Sequence, residues 1–176
     1  FSFVKQEGIR SMSEVHKIDS MGEIKFDPYF MYGNTPDGGT SIKMWEKGYN
    51  NDFAARMDWS ITKKYEDANH HPVTVLNRAK TRNVLQMNIT AGATFKLSAK
   101  ESSDPDENNL SYNWIYYEAP GTYKGPVSIE KSSSLKTSVL IPENAGGKSI
   151  HIILEIHDDG KPNLYAYRRI IFNVEE

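Results

Sequence analysis

Cysteine is absent from the 176-residue sequence, which excludes disulfides, thiolate metal sites and cysteine nucleophiles. No apolar run approaches the roughly 20 residues that span a membrane, and the N-terminus does not read as a signal peptide. A strong charge excess is also missing: the net charge of −2 gives no electrostatic footprint for nucleic acid. Gly-x-Ser-x-Gly, phosphate-loop and His-Glu-x-x-His sequences do not occur, so no familiar catalytic motif is present.

Enough apolar material is present to build a core, since apolar residues make up 38% of the chain and aromatic residues 11%. The sequence starts at Phe1 without an initiator methionine, so we expect a piece of a longer protein. Two regions differ in periodicity. We predict a helical and irregular segment at 1–70 and a strand-rich domain at 71–176.

The first region has helical spacing. Apolar residues recur every three positions over Met12–Met21 before Gly22, which predicts a short helix. Residues 26–40 combine aromatics with Pro-Asp-Gly-Gly and predict an irregular packed loop. A second helical stretch is predicted at 62–68. Between the loop at 26–40 and the stretch at 62–68, apolar residues spaced by four predict a helix of about four turns. The apolar stripe on this helix comprises Trp45, Tyr49, Phe53 and Met57.

From Pro72 onwards the period changes to two, as expected for strands with one buried face. Seven short segments alternate in this way: 73–76, 95–99, 110–116, 127–129, 139–141, 150–156 and 170–174. With their Pro- and Gly-containing turns they predict a mainly β fold, an antiparallel immunoglobulin-like β-sandwich preceded by a short helical and irregular segment. Trp114 suits the central core tryptophan of such a fold.

Acidic residues cluster in two loops of this predicted sandwich. Asp104 and Asp106 lie between the second and third strands, whereas Asp158 and Asp159 follow the sixth. These loops gather at one end of a sandwich, and calcium takes several oxygen ligands from converging loops. The four carboxylates therefore form a hypothetical calcium site, although no cofactor is required. The alternative is that Asp104 caps its own turn.

Two pairs of polar residues have simpler interpretations. Asp52 and Arg56 are four residues apart on the predicted helix and form an ordinary ion pair rather than an acid–base site. His70 and His71 are adjacent in an extended segment, where neighbouring side chains point apart. We therefore interpret the histidines as part of a linker rather than as metal ligands.

Tyrosines supply candidate sugar contacts, because sugars stack on exposed aromatic rings; the candidates are Tyr116, Tyr117, Tyr123, Tyr165 and Tyr167. If Ile170 points inward, alternation along the last strand turns Arg168 inward and turns Tyr165 and Tyr167 outward. Outward tyrosines fit a sugar platform, an interface with another domain, or cross-strand pairs.

The run Asn51–Trp59, NDFAARMDW, with Trp45 before it and Glu66–His70 after it, resembles a family of exported bacterial cellulose-binding proteins that have a nucleoside-hydrolase-like domain. Further similarity lies in Asp104–Asp106, Tyr112–Trp114, Tyr117–Tyr123, Ile150–Glu155 and Asp158–Pro162. The resemblance implies that this chain is the C-terminal part of such a protein, secreted or periplasmic, and that a hydrolase-like domain precedes it. The calcium-binding DxDxxxDD sequence of nucleoside hydrolases is not in this chain.

The resemblance therefore implies a non-catalytic accessory region that packs on or positions the hydrolase-like domain and contacts polysaccharide. It favours the interface interpretation of the outward tyrosines. The residues expected to pack between domains are Trp45, Tyr49, Phe53, Arg56, Met57 and Trp59. The alternative is that this region lines the cleft of a glycan or ribosidic hydrolase, with Trp45, Arg56 and Trp59 near the substrate.

Overall fold

The alternating segments pair into two β-sheets that share one core. The computed structural model describes residues 40–176. One sheet has the strand order β1-β7-β6-β3 and the other β2-β5-β4. The strands are β1 (Leu85–Thr90), β2 (Thr94–Ser98), β3 (Ser111–Tyr116), β4 (Ser128–Glu130), β5 (Lys136–Leu140), β6 (Ser149–His157) and β7 (Tyr165–Glu175).

Helices precede the sheets. They are α1 (Thr40–Lys43), α2 (Glu46–Ile61) and a 3-10 turn at Tyr65–Asp67. Helix α2 has 16 residues and confirms the predicted helix of about four turns. The stretch predicted at 62–68 is only a 3-10 turn, because Lys64 before it has extended backbone angles. The helix predicted at Met12–Met21 lies outside the described residues, as does the loop predicted at 26–40 except for Thr40, which begins α1.

A compact unit spans Gly48–Glu176, and residues 40–47 belong to a separate unit. The boundary that we predicted between residues 70 and 71 falls inside the larger unit. Helix α2 from Gly48 onwards thus lies with the sandwich. Among residues 40–176, no helix is both long and apolar enough to cross a bilayer.

The core lies between the two sheets. The Phe95 ring of β2 meets the Phe172 ring of β7 edge to face, with 5.3 Å between centroids. Trp114 of β3 is buried, as predicted, and its Nε1 donates to the Ser134 carbonyl at 2.8 Å. Burial contributes about 1.5–3 kcal/mol for each large apolar side chain. Other fully buried members are Leu97, Val139, Ile141, Ile150, Ile152, Leu154, Ile156 and Ile170.

One predicted strand is wrong and one was missed. Residues 73–76 make only isolated bridges, Val73 with Ser103 and Leu76 with Ala79, because a two-residue turn follows Leu76 at once. The missed strand is β1, whose alternate residues are half-buried. It pairs parallel to β7 at the sheet edge, an exception to the otherwise antiparallel pairing.

Candidate functional site

Helix α2 lies against the outer side of β7 through small and polar residues. Gly48 and Ala55 are its buried residues. A Cβ at Gly48 would overlap the hydroxyl of Tyr167, so any larger residue here would force the tyrosine side chain to shift. The Asn51 amide donates to the Asn163 carbonyl at 2.8 Å. The face that holds the helix is therefore not the apolar stripe.

The apolar stripe of α2 points away from the sandwich. The exposed fraction is 43% for Tyr49, 64% for Phe53 and 49% for Met57, and Ile61 continues the row at 78%. Residues spaced by four lie on one helix face. The structure thus leaves a continuous exposed apolar face, which we call the α2 stripe (Tyr49, Phe53, Met57 and Ile61). Trp45, the first residue of the predicted row, precedes the helix.

Asn69 joins the end of the helical region to two loops. The indole Nε1 of Trp59 donates to the Asn69 carbonyl at 2.8 Å. The Asn69 side-chain amide donates to Asp158 Oδ2 at 3.0 Å, and its oxygen accepts from Asn108 Nδ2 at 2.8 Å. A Cβ at Gly160 would overlap the Asn69 side chain, so a larger residue here would displace the Asn69 amide from its partners. The sequence contained no signal for this junction.

The two histidines point apart, as their spacing predicts, but each makes specific contacts. His70 is stacked on Tyr65, with 3.5 Å between centroids, and its Nδ1 lies 3.1 Å from Asp106 Oδ1. His71 Nε2 lies 2.8 Å from Asp52 Oδ1, and its Nδ1 lies 2.9 Å from the Tyr165 carbonyl. Both partners of His71 are hydrogen-bond acceptors, one on α2 and one on β7. His71 therefore fastens α2 to β7, and His70 connects the 3-10 turn to the Asp106 loop, so the two histidines are not part of a loose linker.

Asp52 contacts both His71 and Arg56, its partner in the predicted ion pair. Its Oδ2 accepts from Arg56 Nε at 2.7 Å. The hydrogen bond from Arg56, with the smaller contribution of His71, lowers the pKa of Asp52 despite partial burial. The Arg56 guanidinium also lies over the Trp59 ring, 5.8 Å from its centroid. The Asp52–Arg56 ion pair therefore has a structural role on α2.

The two acidic loops meet, as the sandwich geometry predicts. The backbone amide of Asn109 donates to Asp159 Oδ1 at 2.9 Å, and its side-chain amide donates to Oδ2 at 2.8 Å. These bonds lower the pKa of Asp159. Asp158 Oδ1 accepts from the Gly160 and Leu164 amides. The carboxylates here are engaged by protein donors.

Asp104 caps its own turn, as in the alternative interpretation. Its Oδ1 accepts from the Asp106 amide at 2.9 Å and from the Asn108 amide at 3.2 Å. Burial, with the nearby charges of Asp158 and Asp106, raises its pKa against the effect of those bonds. Within residues 40–176, no group of three or more His, Cys, Asp or Glu is placed to hold a metal ion. The calcium site stays a prediction.

The candidate sugar-binding tyrosines have different environments. Tyr123 is 4% exposed and its hydroxyl donates to Asn144 Oδ1, so its ring offers no face to a sugar. Tyr116 and Tyr117 are half-buried, and the Tyr116 hydroxyl donates to the Tyr123 carbonyl. Tyr165 and Tyr167 stack at 6.3 Å between centroids on the outer side of β7. Burial, followed by the charge of Glu155, raises the pKa of Tyr167.

Tyr165 and Tyr167 open onto a cleft of about 360 Å³ that Arg56, Lys80 and Arg82 also line. Arg168 is only 2% exposed, as the alternation predicts, and it contacts the segment at 74–83 that borders the cleft. Its guanidinium donates to the Ala79 carbonyl at 3.2 Å and lies 3.5 Å from those of Thr74 and Asn83. The cleft thus offers aromatic rings beside hydrogen-bond donors.

Comparison with known proteins confirms the resemblance seen in the sequence. Residues 94–174 match the family model described as "Cellulose-binding protein Sde0182, C-terminal domain". A solved structure of a nucleoside hydrolase-related hypothetical protein from Saccharophagus degradans, associated with carbohydrate metabolism, is 44% identical with a TM-score of 0.79. The match covers 98% of this chain and 40% of that chain, so this chain spans less than half of its relative. No curated protein matches significantly.

Weaker matches are found among immunoglobulin-like domains. The PKD domain from the KIAA 1837 protein is 17% identical with a TM-score of 0.37, over 53% of this chain and 82% of that one. Human CDH23 EC21-23 is 17% identical with a TM-score of 0.41, over 59% of this chain and 33% of that one.

Proposed function

We propose that this chain is a non-catalytic accessory region of an exported bacterial protein. In this proposal it docks on a nucleoside-hydrolase-related domain of the same protein through the α2 stripe. It also contacts polysaccharide through the cleft beside Tyr165 and Tyr167. The accessory, carbohydrate-associated role is supported by the match to a cellulose-binding C-terminal domain. An extracellular location is part of the proposal and is supported by the same match.

The exposed α2 stripe carries the docking proposal. Four large apolar residues on one helix face bury little area on the sandwich, because Gly48 and Ala55 make that contact. Contiguous exposed apolar surface of this kind marks an interaction site. The occupant we propose is the hydrolase-related domain, because the relative at 44% identity continues well beyond the part that this chain matches. Burial of each stripe residue would contribute about 1.5–3 kcal/mol before the cost of association.

Docking can be tested by titrating this chain with the remaining portion of the Saccharophagus degradans relative in a calorimeter. We expect saturable binding that Phe53→Glu/Met57→Glu abolishes. Lys63→Gln, an exposed residue beyond the end of α2, should leave binding unchanged although it alters the charge. Equal binding by the stripe variant would contradict the proposed surface.

Polysaccharide contact can be tested by retention on insoluble cellulose. Tyr165→Ala/Tyr167→Ala should reduce the retained fraction, whereas Tyr117→Ala, at a half-buried tyrosine outside the cleft, should not. Circular dichroism of each variant verifies folding. Absence of retention of the wild-type chain on cellulose and on soluble glycans would contradict this part of the proposal.

A further inference from the structure

A second groove lies on the other sheet, away from α2. It crosses the outer face of β2 and β5 and encloses about 710 Å³. Its floor consists of side chains that alternate with the core: Lys96 and Ser98 of β2, and Lys136 and Ser138 of β5. No aromatic residue lines it within the described chain. Recognition in this groove therefore depends on charge and hydrogen bonds rather than on stacking.

The groove is positively charged in a protein whose net charge is −2. Five cations and two carboxylates line it: Arg78, Lys96, Lys100, Lys131 and Lys136, with Glu101 and Glu130. Lys96 pairs with Ser138 and Lys136 with Ser98 in the strand register, so the two lysines stand diagonally on one face. None of the four ammonium groups has a hydrogen bond or ion pair to another residue in the range 40–176. A row of unneutralised cations attracts anions.

The rim at Arg78 is held in an unusual backbone conformation. Asn77 and Arg78 form a two-residue turn between the bridged residues Leu76 and Ala79, with φ of 46° and 68°. Turns with two positive φ angles favour Asn-Gly, because glycine adopts the second conformation without steric cost. Here an arginine occupies the glycine position. Strain of this kind concentrates at functional sites, and an observed outlier is grounds for a functional hypothesis.

The turn is anchored so that Arg78 stays at the groove. Asn77 donates from its backbone amide to the Ser98 carbonyl at 2.8 Å, and its Oδ1 accepts from the Ser98 amide at 2.7 Å. Among residues 40–176, the one ion pair of Arg78 is a loose one, with Nε 3.9 Å from Glu101 Oε1. Lys131 repeats the pattern, with φ of 49° at the end of β4. Two cations on left-handed backbone thus line the same groove.

We infer that this groove binds a linear polysaccharide that carries a carboxylate on its sugar units, a polyuronate. The lysines and Arg78 would pair with the carboxylates, and Glu101 and Glu130 would accept hydrogen bonds from sugar hydroxyls. The inference rests on the proposed function in taking polysaccharide as the ligand class, but it uses a different surface from the Tyr165 cleft. A polyphosphate or nucleic acid backbone fits less well, because it has few donors for the two carboxylates.

The test is calorimetric titration of the chain with polygalacturonate, and with its fully methyl-esterified form as the uncharged control. Polygalacturonate should bind, more weakly as salt rises, and the ester should not. Lys96→Gln/Lys136→Gln should raise Kd by roughly two- to fivefold for each cation removed, the range of an exposed ion pair, and Lys96→Arg/Lys136→Arg should restore it. Lys63→Gln/Lys148→Gln, exposed lysines outside the groove, should have no effect.

Arg78→Gly separates binding from folding. It should weaken polygalacturonate binding while leaving Tm unchanged or higher, because glycine accepts the backbone angles; Arg78→Lys should keep most of the affinity. Equal binding of the methyl ester, equal or tighter binding of polyphosphate or single-stranded DNA, or equal losses in the Lys63/Lys148 control would overturn the inference. Retention on cellulose without polygalacturonate binding would overturn it while leaving the proposed function intact. If the chain neither is retained on cellulose nor binds polygalacturonate, the inference and the polysaccharide part of the proposed function are both overturned.

Discussion

Replacement of Asn69 by alanine should be among the most costly single changes outside the apolar core. The Asn69 side chain is buried and makes three hydrogen bonds. Its nitrogen donates to the Asp158 carboxylate and to the Pro162 carbonyl, and its oxygen accepts from Asn108. Alanine would leave these partners without a counterpart in a region where water has little access.

The expected magnitude follows from the partners. A hydrogen bond to a charged group contributes about 2 kcal/mol and each neutral one about 1 kcal/mol, which gives about 4 kcal/mol for Asn69. In a protein of this size, each kcal/mol shifts Tm by about 2–4 °C. We therefore expect Asn69→Ala to lower Tm by about 8–16 °C.

Thermal and urea unfolding, followed by tryptophan fluorescence, would measure this loss. Asn50→Ala is the matched control, because it makes the same substitution at an exposed position on α2. Asn69→Asp adds a carboxylate against Asp158, so its penalty should be large at neutral pH and smaller in acid, where carboxylates are protonated. A Tm for Asn69→Ala within about 3 °C of the control would refute the reasoning, since it would correspond to about 1 kcal/mol.

Three further predictions concern the contacts of α2 at Gly48 and Asp52 and the acidic loops. Gly48→Ala would stabilise an ordinary helix by up to about 1 kcal/mol, but here it should lower the urea midpoint because the added methyl group overlaps the Tyr167 hydroxyl. Tyr167→Phe in the same chain should recover part of the loss. A higher midpoint for Gly48→Ala alone would contradict the close contact. Because the pKa of Asp52 is lowered by its partners, its contribution to the free energy of unfolding is full above the ordinary Asp pKa and is lost as pH falls. Asp52→Asn should therefore flatten the stability profile between about pH 5 and pH 3, and identical profiles would exclude this role. For the predicted calcium site, millimolar Ca²⁺ should raise Tm, chelator should reverse the rise and Asp104→Asn should abolish it; an unchanged wild-type Tm would rule the site out.

The sandwich could be predicted because its signal is local. Alternation of apolar residues specifies which face of each strand is buried, and Trp114 and Arg168 both point where the period of two places them. β1 was missed although Leu85, Met87 and Ile89 also alternate, since its residues are only half-buried at a sheet edge. The segment at 73–76 is apolar and buried at its end, but the turn at Asn77 stops pairing.

The contacts of the candidate site were largely invisible to sequence reasoning, because they join residues far apart in the chain. Asn69 and Asp158 are 89 positions apart, and Asn51 and Asn163 are 112 apart. Only the meeting of the acidic loops followed from general sandwich geometry. The buried face of α2 was also hidden, since Gly48 and Ala55 have too little apolar surface to stand out against the stripe.

In the proposed function the two faces of α2 serve separable purposes. A helix whose strongest apolar row faced the sandwich would lose stability whenever that row was changed, and docking could not be altered alone. Here Gly48, Asn51 and Ala55 hold the helix, while Phe53 and Met57 face outward. Exposed positions change stability by only about 0.5 kcal/mol on substitution. Phe53→Glu should consequently leave Tm within a few degrees of wild type while removing association with the hydrolase-related domain, and a large fall in Tm would mean that the stripe packs within this chain after all.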